Sequence, residues 1–228
     1  MEKEFKPKII ARIRTDFPAK FGIPRQSGLV KGTRGIIVFE KVFRNAEALR
    51  GLEGFSHLWL IWQFSESVTE NWSATVRPPR LGGNKRMGVF ATRSPNRPNS
   101  IGLSCVRIKR IIHSEQGTVI QISGADMMDS TPVYDIKPYL PFTDCRENAK
   151  SGFCEHISEQ MLKVEYEDDT LNKLEADKRA ALIKLISQDP RPSYQNDSER
   201  VYGFEFAGFE VKFKVQEDTA QILSIEKI

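Results

Sequence analysis

Six short runs rich in β-branched and aromatic residues follow one another between residues 8 and 123, and no helix of ten to fifteen residues alternates with them. They are 8–14 (KIIARIR), 35–39 (GIIVF), 57–64 (HLWLIWQF), 87–93, 103–112 and 118–123, most of them bounded by glycine, proline or polar turns. Such spacing predicts an antiparallel sheet closed, or nearly closed, into a barrel, with at most one short helix around 45–52. A doubly wound parallel sheet is excluded by the missing crossover helices. Neither a GxGxxG at a strand–helix junction nor a GxxxxGK[ST] loop is present, so any nucleotide-like ligand is held by other means.

After residue 146 the character changes. Residues 160–166 have strand composition. Residues 170–188 place Leu171, Leu174, Leu182, Leu185 and Ile186 on one helical face, with Thr170 as N-cap and Asp189-Pro190 as terminator. Runs at 201–206, 209–215 and 222–225 then alternate as strands, with Gly208 at the first turn. The expected fold class is therefore mainly β with α+β. A single-sheeted antiparallel β-barrel, not a Rossmann unit, occupies 6–146, and a small α+β unit occupies 147–228.

Charge divides at the same place. Residues 1–146 hold 23 Lys and Arg against 13 Asp and Glu, so the whole-chain net charge of +4 hides a first part at +10. The basic excess points to nucleic acid or another anionic partner for that part. The acidic second part either docks on the first or keeps the chain soluble. Six basic residues (Arg77, Arg80, Lys85, Arg86, Arg93, Arg97) lie within 75–102, with four prolines, four glycines and no acid. That composition suits an ordered loop with one short strand, displaying positive charge to a polyanion or to a phosphate-bearing ligand; a merely solvated loop is the plainer alternative.

Other features narrow the class. No apolar run approaches the roughly 20 residues of a membrane span, and the N-terminus lacks an apolar signal core, so a cytoplasmic protein without a membrane partner is expected. Three cysteines without a CxxC pair argue against a disulfide scaffold and against zinc; His113 and His156 have no partners at metal spacing, so no metal is expected. His57 is expected to satisfy a local hydrogen bond. The three tryptophans are expected in the core or an interface, with Trp72 able to stack on a base.

Several motifs are weak singly and specific together: PRQ (24–26), GLEGFSHLW (51–59), the basic segment 75–102, DMMDSTPVYDIKPYLPF (126–142) and QDPRPSY (188–194). Their order and spacing resemble the TrmO (TsaA-like) family of tRNA methyltransferases, from about Ile10 to the end of the chain. The resemblance implies an S-adenosyl-L-methionine-dependent enzyme that methylates N6 of threonylcarbamoyladenosine at tRNA position 37, working as a homodimer with the cofactor near the subunit interface. It places cofactor contacts on Pro24, Arg25, Gln26, Phe64, Ser65, Arg93, Leu103, Asp126, Met127, Met128 and Asp129. Relatives often carry His where Ser65 stands, and a Leu-Val-like pair where Met127-Met128 stands.

The chemistry of these residue types suits such a ligand. Phe64 and Leu103 can flank an adenine, Arg25 or Arg93 can pair a carboxylate, and Asp126 or Asp129 can accept from an ammonium or ribose hydroxyls; alternatively, the two aspartates only fix the turn. Arg77, Arg80, Lys85, Arg86 and Arg97, with Tyr139, are expected to meet the tRNA, the cations mostly through phosphates. Asp135 and Tyr139 are candidates for taking the proton lost from N6, though nothing selects one and no dedicated base is expected to dominate. QDPRPSY either positions the anticodon arm or simply closes the helix before it.

Overall fold

The structure, a computed structural model, describes residues 6–78, 81, 85–115, 117–155, 161–191 and 197–228. Arg80, His156 and the Pro192–Tyr194 end of the QDPRPSY motif lie outside the described residues.

Strands β1 (Ala11–Thr15), β2 (Arg34–Phe39), β3 (His57–Gln63), β6 (Ile101–Ser114), β7 (Gly117–Ser123) and β8 (Pro132–Pro138) close an antiparallel barrel in the order β1-β2-β7-β6-β3-β8. Period-2 alternation sets the inside. Ile13, Ile37, Leu58, Leu60, Ile120 and Ile122 point inward and are at most 1% exposed, each contributing about 1.5–3 kcal/mol by burial. Three sequence expectations change here. The run 87–93 is strand only over β5 (Met87–Gly88), which pairs with β4 (Thr75–Val76) as a separate two-stranded ribbon. Val89–Ala91 then curls into a 3-10 turn, because only Val89 has a core to enter while Phe90 stays 73% exposed. The sixth barrel strand is β8 instead, a segment outside the six sequence runs that holds Pro132 and Pro138. They sit at its two ends, where a missing ladder donor is tolerated. The helix expected at 45–52 is two 3-10 turns, Ala46–Leu49 and Leu52–Gly54, the first capped by the Asn45 side chain accepting from Glu47 N at 3.0 Å.

The second unit is a sheet in the order β10 (Tyr202–Phe206), β11 (Phe209–Gln216), β12 (Thr219–Lys227), β9 (Lys163–Glu165), with β9 parallel to β12. After the short α1 (Pro141–Asp144), the single helix expected over 170–188 is broken into α2 (Asp168–Leu171) and α3 (Ala176–Ser187), so Thr170 lies within α2 and is no N-cap. Arg179 sustains the break, its guanidinium donating to Asn172 Oδ1 at 2.6 Å and to the Leu174 carbonyl at 2.7 Å. The buried face of α3 (Leu182, Leu185, Ile186) is the expected one.

The two units are joined through the connection between β1 and β2. Phe17 and Val30 belong to the core of the second unit, packed with Leu182, Phe204, Phe206 and Phe213. Gly22, at φ +92°, passes beneath the Phe204 ring, where a Cβ would sit 2.3 Å from a ring carbon. Lys178 of α3 pairs with Asp16, both largely buried, and Ala207 N donates to the Asp16 carbonyl at 3.1 Å. The loop carrying residues 24–26 is thus anchored on the second unit.

Candidate functional site

A cavity of about 810 Å³ lies against the outer face of the barrel, where β3 ends and β6 begins. Its floor and one wall come from β3 and β6, whose residues Trp59, Gln63, Ile101 and Leu103 have the parity opposite to the core. Three connections complete it: the β1–β2 loop, the strap at 92–99 and the β7–β8 turn. Pro24, Arg25, Gln26, Phe64, Ser65, Arg93, Leu103, Asp126, Met127 and Met128 all line this one space. Residues spread over a hundred positions are brought together because β3 and β7 end, and β6 begins, on the same side of the barrel. Phe64 N donates to the Ser100 carbonyl at 2.9 Å, which ties the end of β3 to the strap.

Asp126 is the electrostatic centre. Its carboxylate accepts from Ser104 Oγ at 2.7 Å, and Ser104 Oγ accepts from the Trp62 indole N–H at 2.9 Å. Since the indole can only donate, the serine proton is directed at the aspartate. Burial pushes the Asp126 carboxyl up from 3.8 to about 6, against the lowering effects of Ser104, the backbone N–H groups of Asp126 and Ser27, and the Arg93 charge. Sequence reasoning missed Ser104 and Trp62 as site residues. The available signal was parity: Ser104 shares the inward register of Gly102 and Val106, and a hydroxyl at a wholly buried strand position needs a partner.

On the opposite wall Arg93 donates to Gln26 Oε1, and Gln26 Nε2 donates to the Arg25 carbonyl at 2.5 Å. Arg25 Nη2 donates to the carbonyls of Asp189 and Arg191, at 2.8 and 3.4 Å. Asp129 is not among the residues lining the cavity. Its carboxylate accepts from Thr15 N at 3.0 Å and from Arg14 at 3.0 Å, which holds its pKa below the ordinary value and fixes the turn after β7.

The basic residues divide. Arg77, Lys85 and Arg86 are exposed on or beside the β4–β5 ribbon, Arg86 donating to Thr75 Oγ1 at 2.9 Å. Arg97 is half-buried in the cavity wall and donates to the Thr92 carbonyl at 3.1 Å. Tyr139 stands 5.7 Å, centroid to centroid, from Trp59, whose indole N–H donates to Asp144 Oδ2 at 2.9 Å. The Tyr139 phenol is pushed up by desolvation and by the neighbouring Cys145, Cys105 and Asp144. Asp135 lies outside the cavity lining, bonded to Ile136 N and paired with Lys137 at 3.1 Å. His57 does share a local hydrogen bond, with Ser56 Oγ at 2.9 Å.

A family model described as the tRNA-methyltransferase O N-terminal domain matches residues 12–145, and one described as the TrmO C-terminal domain matches residues 159–228. The tRNA (adenine(37)-N6)-methyltransferase of Escherichia coli strain K12 is 37% identical over 225 residues, covering 95% of this chain and 96% of that protein. A Pseudomonas aeruginosa protein described as a putative S-adenosylmethionine-dependent methyltransferase, RcsF, is 40% identical over 203 residues, covering 85% of each. A crystal structure of TrmO from P. aeruginosa superposes with a TM-score of 0.80 at 30% identity, covering 100% of this chain and 99% of that one.

Proposed function

The chain belongs to the tRNA-methyltransferase O family, and on that premise we propose that it methylates N6 of adenine 37 in tRNA, with S-adenosylmethionine as donor and threonylcarbamoyladenosine as the substrate base. One observation carries the reading. The cavity joins a largely buried carboxylate, an arginine–amide wall and exposed apolar side chains, next to a ribbon of exposed positive charge. A simple RNA-binding barrel has no need of a second, small-ligand pocket.

The residues present fit the donor. A cavity of about 810 Å³ lies in the range of small-molecule sites. Asp126 and Gln26 offer acceptors for an ammonium or hydroxyls, Arg93 a partner for a carboxylate, and Phe64 and Leu103 apolar faces for a purine. S-adenosylmethionine supplies a methyl group already activated by its sulfonium. The chain's own work is then to align the accepting nitrogen and exclude water, the kind of contribution that positioning alone can make large. Neither candidate for taking the N6 proton lines the cavity: Asp135 is paired with Lys137, and the raised pKa of Tyr139 keeps its phenol protonated. Arg77, Lys85 and Arg86 would hold the tRNA backbone. The same reading has two copies meeting beside the cavity, where Ile101 and Leu103 on its wall and Trp72 and Phe90 flanking the β4–β5 ribbon stay exposed. A monomer at working concentration in sedimentation equilibrium would remove that part.

The test is transfer of label from methyl-tritiated S-adenosylmethionine to defined tRNAs. Label is expected on threonylcarbamoylated tRNA and absent when position 37 is not adenine. Equal labelling of tRNA lacking threonylcarbamoyl would overturn the substrate assignment, and no labelling of any tRNA would overturn the activity.

A further inference from the structure

The cavity wall is held from outside its own unit. At the end of α3 the chain turns back through Asp189, whose φ of +48° is a left-handed conformation that Asp and Asn tolerate best among residues with side chains. The turn is locked by its own ion pair. The Asp189 carboxylate accepts from Arg191 Nε at 2.8 Å, Arg191 Nη2 at 2.9 Å and the Arg191 backbone N at 3.2 Å. Arg191 is only 8% exposed, and its guanidinium lies 5.9 Å from the centroid of the Tyr202 ring. This geometry points two carbonyls, of Asp189 and Arg191, at a single guanidinium nitrogen of Arg25.

From Arg25 the contacts run on into the cavity. The Arg25 carbonyl accepts from the Gln26 amide, and the Gln26 carbonyl oxygen accepts from Arg93. All three residues line the cavity, whereas Asp189 and Arg191 do not. A second strut, from Gln188 Nε2 to the Leu29 carbonyl at 3.4 Å, ties the same turn to the other end of that loop.

We propose that the Asp189–Arg191 turn of the second unit is a positioning element for the cofactor cavity, setting affinity for S-adenosylmethionine by holding Arg25, and through it Gln26 and Arg93, in one arrangement. The inference rests on the proposed function above, since it takes S-adenosylmethionine as the occupant. It assigns the turn a role that needs no contact with tRNA. Arginine and glutamine side chains are rich in rotamers, and ordering them at the moment of binding costs affinity; a wall already ordered avoids that cost. The C-terminal unit therefore acts on the cofactor cavity from outside its lining.

The experiment is titration calorimetry of the full chain with S-adenosylmethionine, without tRNA, on the wild type, Asp189→Asn, Arg25→Ala and the double variant. Asparagine keeps the left-handed turn and removes the charge that holds Arg191. Asp189→Asn is expected to weaken binding about tenfold, the scale of one charge-assisted hydrogen bond, but to add less than about twofold in the Arg25→Ala background, the non-additivity of residues acting through one another. Thermal melting monitors folding. Should Asp189→Asn be unfolded, Arg191→Lys, which keeps the charge and loses the two-pronged contact, gives the same comparison. Wild-type affinity in Asp189→Asn, or an equal loss in both backgrounds, would overturn the proposal. A wild-type chain that binds no S-adenosylmethionine would instead overturn the reading beneath it, and the two failures are told apart by the wild-type titration alone.

Discussion

Replacing Asp126 by Asn tests the electrostatics of the cavity. The carboxyl is raised from 3.8 to about 6, chiefly by burial, so the native state holds a proton that the unfolded chain has already released. The associated stability is fully present below pH 3.8, falls as pH rises toward about 6, and is level above that. Linkage over that interval makes the wild type lose about 2 kcal/mol relative to Asp126→Asn between about pH 4.5 and about pH 7. The amide keeps an acceptor for Ser104 Oγ, so the Trp62–Ser104 chain is retained and the comparison isolates the charge. Urea unfolding followed by tryptophan fluorescence, at a series of pH values, supplies the two stability curves. The variant's advantage should grow through pH 4–6 and then level off. Parallel curves across the whole range, or an advantage that shrinks with rising pH, would refute the assignment of a raised pKa to this carboxyl. The same substitution removes the anionic acceptor from the proposed cofactor site, so it should weaken S-adenosylmethionine binding at about pH 8 while stabilising the fold, the trade-off common at functional sites.

Ser104→Ala leaves the buried indole N–H of Trp62 without its acceptor and should cost about 1–3 kcal/mol in urea unfolding. A mutant as stable as the wild type would mean that the indole finds another partner. Gly102→Ala places a Cβ 2.3 Å from a Trp62 ring carbon; the ring must move, with a loss of about 1–3 kcal/mol. Retained stability and unchanged tryptophan fluorescence would contradict that close approach. Joint neutralisation of Arg77, Lys85 and Arg86 should lower the slope of log affinity for tRNA against log salt by about 2 to 3, one charge contributing somewhat less than one unit; an unchanged slope would take the ribbon out of the tRNA interface.

Much of the barrel was legible because its inner face repeats every second residue: Leu58, Leu60 and Trp62 on β3, Ile120 and Ile122 on β7. What misled was local chemistry read without its surroundings. Met87, Val89 and Phe90 look like a strand, yet a strand is formed by its neighbours, and here only Val89 has a core to enter. Pro132 and Pro138 look like loop markers, yet both stand at ends of β8, where no ladder bond is lost. The recruitment of Phe17 and Val30 into the second core is a contact between distant segments, and periodicity carries no information about it. Within the site, ten of the eleven residues that the motif resemblance singles out line one cavity. Charge counting alone could not distinguish Arg97, turned into the wall, from Arg77, Lys85 and Arg86 on the open ribbon. Asp129 shows the converse case, since the carboxylate that fixes a turn has the same one-letter code as one that meets a ligand.

The most direct measurement is mass spectrometry of nucleosides from threonylcarbamoylated tRNA, incubated with the full chain with and without S-adenosylmethionine. The expected result is a single methyl-mass increase on threonylcarbamoyladenosine that appears only with the cofactor and maps to position 37. Threonylcarbamoyladenosine unchanged in mass, with tRNA and cofactor both shown to bind, would contradict the proposed reaction.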